Sequence, residues 1–179
     1  GVYALAFGNH LSMILLAPGI TLFLLVSAPD GWRSMLRPRI VALAAAIAVG
    51  GALQYAWNLR TLWFEASPPA SLADAITAAW FDITKADWRE TMVMSVPRTM
   101  LTDHAAMYLF DLRQQFGWIG IALAVLGLGG LWSRHWRRGA LVAVVYLVNA
   151  LFAYGYNVGD THVFYLPSHL MIALLAAPA

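Results

Sequence analysis

The sequence predicts an all-α fold: a polytopic helical membrane protein with about five transmembrane helices and short amphipathic interfacial helices in one outer loop. Three observations carry that prediction. The 179 residues are 61% hydrophobic and only 11% charged, where soluble globular chains average about 45–50% apolar and about 25% charged. Five apolar runs approach the roughly 20 residues that a helix needs to cross a hydrocarbon core. Basic residues collect in two short loops, and acids collect in the remaining ones.

The runs cover about 2–28, 40–57, 116–132, 140–156 and 163–179, and residues 1–179 read as a single membrane domain. Pro18-Gly19 predicts a kink or tilt in the long first run. The outer loop, 58–115, carries helix signals of its own. Ser71-Leu72-Ala73-Asp74 and Thr84-Lys85-Ala86-Asp87 each place a hydroxyl at an N-cap with an acid three residues on. Leu101, Ala105, Tyr108, Leu109, Leu112 and Phe116 recur at helical spacing, predicting a helix over 102–115 with Asp103, Asp111 and Arg113 turned away. Pro68-Pro69 and Pro97 separate these pieces, which are expected to lie flat at the membrane surface. The glycines between Gly117 and Gly130 suit close helix packing in lipid.

Charge orients the runs. Arg33, Arg37 and Arg39 follow the first, and Arg134, Arg137 and Arg138 follow the third, with Asp30 the one acid among them. The other side has Arg60, Lys85, Arg89, Arg98 and Arg113 together with the remaining acids. Basic loops stay cytoplasmic, so loops 29–39 and 133–139 are expected inside, and 58–115 and 157–162 on the periplasmic or lumenal side. Trp57, Trp63, Trp118, Tyr154 and Tyr156 then form the outer aromatic belt, and Trp32, Trp132 and Trp136 the inner one.

The same composition excludes several functions. Without cysteine there are no disulfides and no thiolate metal sites. A net charge of +2 is too weak to argue for nucleic acid, despite a pI near 9.2. No phosphate-binding loop, zinc pattern or nucleophile elbow is present, and no metal site is predicted. The chain opens at Gly1 without methionine or a signal-peptide pattern, and both ends fall in apolar runs. It reads as an internal fragment of a longer protein.

A few polar residues stand where polar groups are costly. Asn9 and His10 lie inside the first run, either lining a wet substrate pocket or fixing helix packing through a hydrogen bond. Gln54, Tyr55, Asn58 and Arg60 cluster at the outer end of the second run. Arg60 sits at lipid-phosphate depth, where its planar fork suits two phosphate oxygens, although a snorkelling arginine occupies the same depth. Asp160 and His162 share the outer turn after the fourth run, where Tyr156, Phe164 and Tyr165 are expected to bury them. A carboxylate beside an imidazole suits general-base work or a substrate clamp, but two ligands are too few for a metal. Arg98, His104 and Arg113 read as solvated or headgroup-facing, and His169 as a packing residue.

Four stretches also resemble a known family. They are Phe7-Gly8-Asn9-His10-Leu11-Ser12-Met13 followed by Ala17-Pro18-Gly19, Tyr55-Ala56-Trp57-Asn58-Leu59-Arg60, Gln115-Phe116-Gly117, and Tyr156-Asn157-Val158-Gly159-Asp160 followed by Phe164-Tyr165-Leu166-Pro167. In this order they are similar to the transmembrane protein 260-like family of protein O-mannosyltransferase-like, multi-spanning proteins. The resemblance implies a GT-C-type glycosyltransferase that takes sugar, with mannose the candidate, from a polyprenyl-phosphate donor on the outer face. The acceptor would be a protein or a glycan. Arg60 would meet the donor phosphate, while Asn9, His10, Tyr55, Asn58, Asp160 and His162 would line the substrate cavity. The family's essential acid belongs to a first outer loop that would precede Gly1, so no catalytic residue is assigned here, and the fragment alone is expected to be inactive. The alternative is a non-enzymatic transporter or flippase for lipid-linked sugars. It is disfavoured by the absence of a repeat and by polar groups near the outer interface, away from mid-membrane.

Overall fold

The computed structural model describes residues 2–9, 11–65 and 67–177, with side chains outside 7–12. It is all-helical: α1 (Val2–Asn9), α2 (Ala17–Ser27), α3 (Pro38–Ala52), α4 (Ala56–Thr61), α5 (Leu72–Thr84), α6 (Ala86–Met92), α7 (Leu101–Tyr154) and α8 (Leu166–Ala176), joined in places by 3-10 turns. Among the described residues the extended pairing is one isolated antiparallel bridge, Val93 to Tyr156. The helices form two compact units, Gly1–Ile14 with Arg33–Glu90, and Leu15–Trp32 with Thr91–Ala179.

In the first unit α1 packs on α3, and α4 on α5. Pro38 starts α3, where its missing N–H costs nothing, and a 3-10 turn at Leu53–Tyr55 carries the run on into α4. Gly51 permits the α1 approach, since a Cβ there would collide with the Ala4 carbonyl. Gln54 reinforces it by donating from Nε2 to the Leu5 carbonyl oxygen at 3.0 Å. The cap expected at Ser71 is present: Oγ accepts the Asp74 amide at 3.1 Å and donates to its carboxylate at 2.7 Å. Thr84 does not cap a helix start. Its hydroxyl donates back to the Trp80 carbonyl at 2.7 Å, and Lys85 ends α5 in left-handed backbone (φ 46°). A Thr inside a last helical turn finds the carbonyl four residues back before any new helix needs a cap.

The second unit is built on α7, which is no straight rod. Its backbone leaves helical geometry at Gly117 (φ 61°, ψ 175°) and His135 (φ −143°, ψ 60°). The Gly117 conformation is one that only glycine adopts without strain. Three stretches result, 101–116, 118–134 and 136–154. The first and third run antiparallel: the Tyr154 hydroxyl donates to the Leu101 carbonyl at 3.1 Å, and Tyr108 meets Tyr146 hydroxyl to hydroxyl at 2.6 Å. The helix expected at 102–115 therefore packs into the unit. α8 runs alongside 116–127, with His169 edge-on to Phe116 and Leu175 against Gly127, whose Cβ would strike the Leu175 carbonyl. α2 runs antiparallel to 136–154, with Gly19 against Leu141 and Val145, and Phe23 and Ser27 beside 134–138. Leu112, Ala124 and Ile172 form the apolar centre.

Among the described residues two helical runs, Pro38–Phe64 and Arg98–Tyr154, are long and apolar enough to cross a membrane, where five separate spans were expected; Met13–Ser27 and Thr161–Ala176 are apolar but shorter. The causes are local. The first expected span is divided by a 3-10 segment at Leu11–Leu16, the third and fourth are joined within α7, and the fifth opens with a 3-10 turn at Thr161–Tyr165.

Candidate functional site

The sequence-predicted residues fall in both units. In the first, Tyr55 is half-buried and borders an otherwise apolar cavity of about 210 Å³ between α4 and α5, walled by Leu59, Ile76, Trp80 and Ile83. Asn58 is committed: its Nδ2 donates to Asp82 Oδ2 at 3.1 Å. Asp82 also pairs with Lys85, and these two hydrogen bonds, Lys85's the stronger, hold its carboxyl below the usual carboxylate range. Arg60 is exposed, with its guanidinium carbon 4.8 Å from the centre of the Trp57 ring and 5.0 Å from that of Phe64. Two ring faces orient the fork and leave its N–H edge for an anion.

Asp160 and His162 belong to the second unit, and their surroundings differ from expectation. Asp160 is exposed, because Tyr156 and Phe164 pack on each other at 4.6 Å and Tyr165 turns inward to stack on Tyr108 at 4.4 Å. Aromatic side chains bury more area against one another than over a carboxylate. His162, expected to be buried with it, is exposed too, and borders a cavity of about 550 Å³ with Met107, Phe110 and Asp111. That brings an imidazole and a half-buried carboxylate into one apolar-walled space. Together they can accept hydrogen bonds from ligand hydroxyls or take up a proton.

Asp111 was expected to point away. It lies instead on the packed face of 101–116 with His104, Tyr108 and Leu112, while Leu109, assigned to that face, is 64% exposed. His104, expected in solvent, is buried with Nδ1 3.2 Å from the Tyr154 carbonyl oxygen. The signal lay in the spacing: positions 104, 108 and 111 follow the same stripe as 101, 105 and 112. Behind the cavity His169 is buried, stacked near Tyr108 and Tyr165. Both its ring nitrogens and the Tyr165 hydroxyl have no partner among the described residues. Asn9 closes α1, and its side chain and the whole of His10 lie outside the described residues. No group of three or more potential metal ligands occurs among the described residues.

No family model, curated protein or solved structure matches the chain.

Proposed function

We propose that this chain is part of a multi-spanning membrane glycosyltransferase of the GT-C type. In this reading it moves a sugar, mannose being the candidate, from a polyprenyl-phosphate donor to a protein or glycan acceptor on the outer face. The observation that carries the membrane placement is an inverted polarity. Ser168, Asn149 and His169 are 0%, 4% and 6% exposed, whereas Ile119, Leu126, Val125 and many more large apolar side chains face outward. Water would reverse that distribution; lipid favours it.

The breaks at Gly117 and His135 would let α7 supply two of the five proposed crossings, stretches 118–134 and 136–154 of about 26 and 28 Å, against a hydrocarbon core of about 30 Å. The Arg134–Arg138 turn shares one end of the second unit with the end of α2, and Asp160 and Tyr156 lie at the other end of 136–154. That separation supports the basic-loops-inside orientation. The transferase assignment rests on the four resembling stretches, with Arg60 as the donor-phosphate contact.

The test is binding of a polyprenyl-phosphate sugar to the full-length protein in detergent, wild type beside Arg60→Ala. Wild-type binding lost in a monodisperse variant supports the reading. Binding without sugar transfer would move the protein to the carrier class, and equal binding by both would remove Arg60 from the site.

A further inference from the structure

The end of the second unit opposite His162 has two adjoining cavities of contrasting chemistry. One, of about 370 Å³, is lined by Arg134, Arg137, Arg138, Trp136 and Ser27. The second, of about 670 Å³, is a groove between stretch 118–134 and α8, walled by Leu123, Leu126, Leu131, Leu174 and Gly130. Arg134 and His135 border both, so the cationic space and the apolar groove adjoin at these two residues. No carboxylate lines either cavity, and among the described residues none of the three arginines has an acidic partner.

From this juxtaposition we infer a binding site for one anionic phospholipid, its phosphate held by the arginine cluster and an acyl chain laid in the groove. The inference rests on the membrane placement and is independent of the sugar-transfer reading. Three guanidinium groups without acids favour a phosphate over any neutral headgroup. Trp136, exposed beside Arg137 at 5.8 Å, is the residue type that settles at headgroup level. A free anion would need only the first cavity, whereas a lipid uses both. The break at His135 creates the site, since the turn swings Arg137 and Arg138 back toward Ser27 while Arg134 remains on the helix that walls the groove.

The test is native mass spectrometry of the purified protein with phosphatidylglycerol, phosphatidylcholine or inorganic phosphate added. Phosphatidylglycerol is expected to be retained at least tenfold over phosphatidylcholine, and millimolar phosphate is expected not to displace it. Arg134→Gln, which leaves two arginines to keep the topology, should lower retention about tenfold. Gly130→Phe should do the same from the groove side; no atom lies within 4 Å of a Cβ there, so the ring can enter the groove without displacing backbone. Equal retention of the two lipids, displacement by phosphate alone, or wild-type retention in either folded variant would each overturn the inference.

Discussion

Asn149 and Ser168 hold α7 and α8 together across the turn that joins them: the Asn149 Oδ1 accepts the Ser168 amide at 3.0 Å and its hydroxyl at 2.6 Å. Ser168 lies in the first turn of α8, where amides have no partner within their own helix. A side chain from α7 therefore caps α8, and both residues are buried. Asn149→Ala should strand the buried Ser168 amide, the hydroxyl keeping the Tyr146 carbonyl at 3.4 Å, and cost about 1–3 kcal/mol, while Ser168→Ala removes only the hydroxyl and should cost about 0.6 kcal/mol. Unfolding titrations in mixed micelles would measure both, and equal losses would show that the amide bond contributes nothing.

Gly127 and Gly129 provide a second contrast. At Gly127 a Cβ would overlap the Leu175 carbonyl, whereas nothing lies within 4 Å of one at Gly129. Gly127→Val must push α8 away from stretch 118–134 and should cost about 1–3 kcal/mol. Gly129→Ala removes a helix-weakening glycine and should be neutral or stabilising by up to about 1 kcal/mol. Thermal midpoints in detergent decide the matter, and a similar loss for both would mean that helix propensity, not packing, governs this stretch.

These pairs also show what the sequence discloses. Apolar runs and charge placement predicted an all-helical chain, and the hydroxyl-to-acid spacing at Ser71 predicted its cap, because both depend on local composition. Which polar residues turn inward does not. Asp111 and His104 sit on a stripe that periodicity located, but both were expected to turn away from the packed face; the partner that buries His104, the Tyr154 carbonyl, is fifty residues away in sequence. Asn149 and Ser168 stand alone in apolar runs, and only the turn between α7 and α8 brings them together. Lys85 took a left-handed conformation that its residue type does not advertise.

Asp82 gives the structure a titratable contact in its first unit. Its carboxyl is held below the usual carboxylate range by hydrogen bonds from Lys85 and then Asn58. A carboxyl depressed on folding contributes stability above its unfolded pKa, and that contribution disappears as pH falls through the folded value. The α4–α5 contact should therefore loosen below pH 3.8, modestly because the pair is solvent-screened, and less at high salt. Trp80 fluorescence or hydrogen exchange in α5 should change as pH falls below the usual carboxylate range in the wild type. The same change in Asp82→Asn would assign it to another group.

Under the proposed transferase reading, the cavity bordered by Asp111 and His162 has a testable role. Both line it, while Asp160, two residues from His162, is absent from its lining. A hydrogen bond from a ligand hydroxyl to a charged group contributes about 1.5–3 kcal/mol, and each 1.4 kcal/mol is about tenfold. If the acceptor sugar or side chain occupies this cavity, Asp111→Asn should raise the acceptor KM about 10- to 100-fold and leave the donor KM unchanged. His162→Ala should act in the same direction, and Asp160→Ala should stay within about twofold. The substitution Asp111→Asn keeps shape and removes charge, so it separates a ligand contact from a packing role. Initial rates at varied acceptor concentration read this directly. An acceptor KM unchanged in Asp111→Asn would empty the cavity of acceptor, and a large effect from Asp160→Ala would move the acceptor site to the turn.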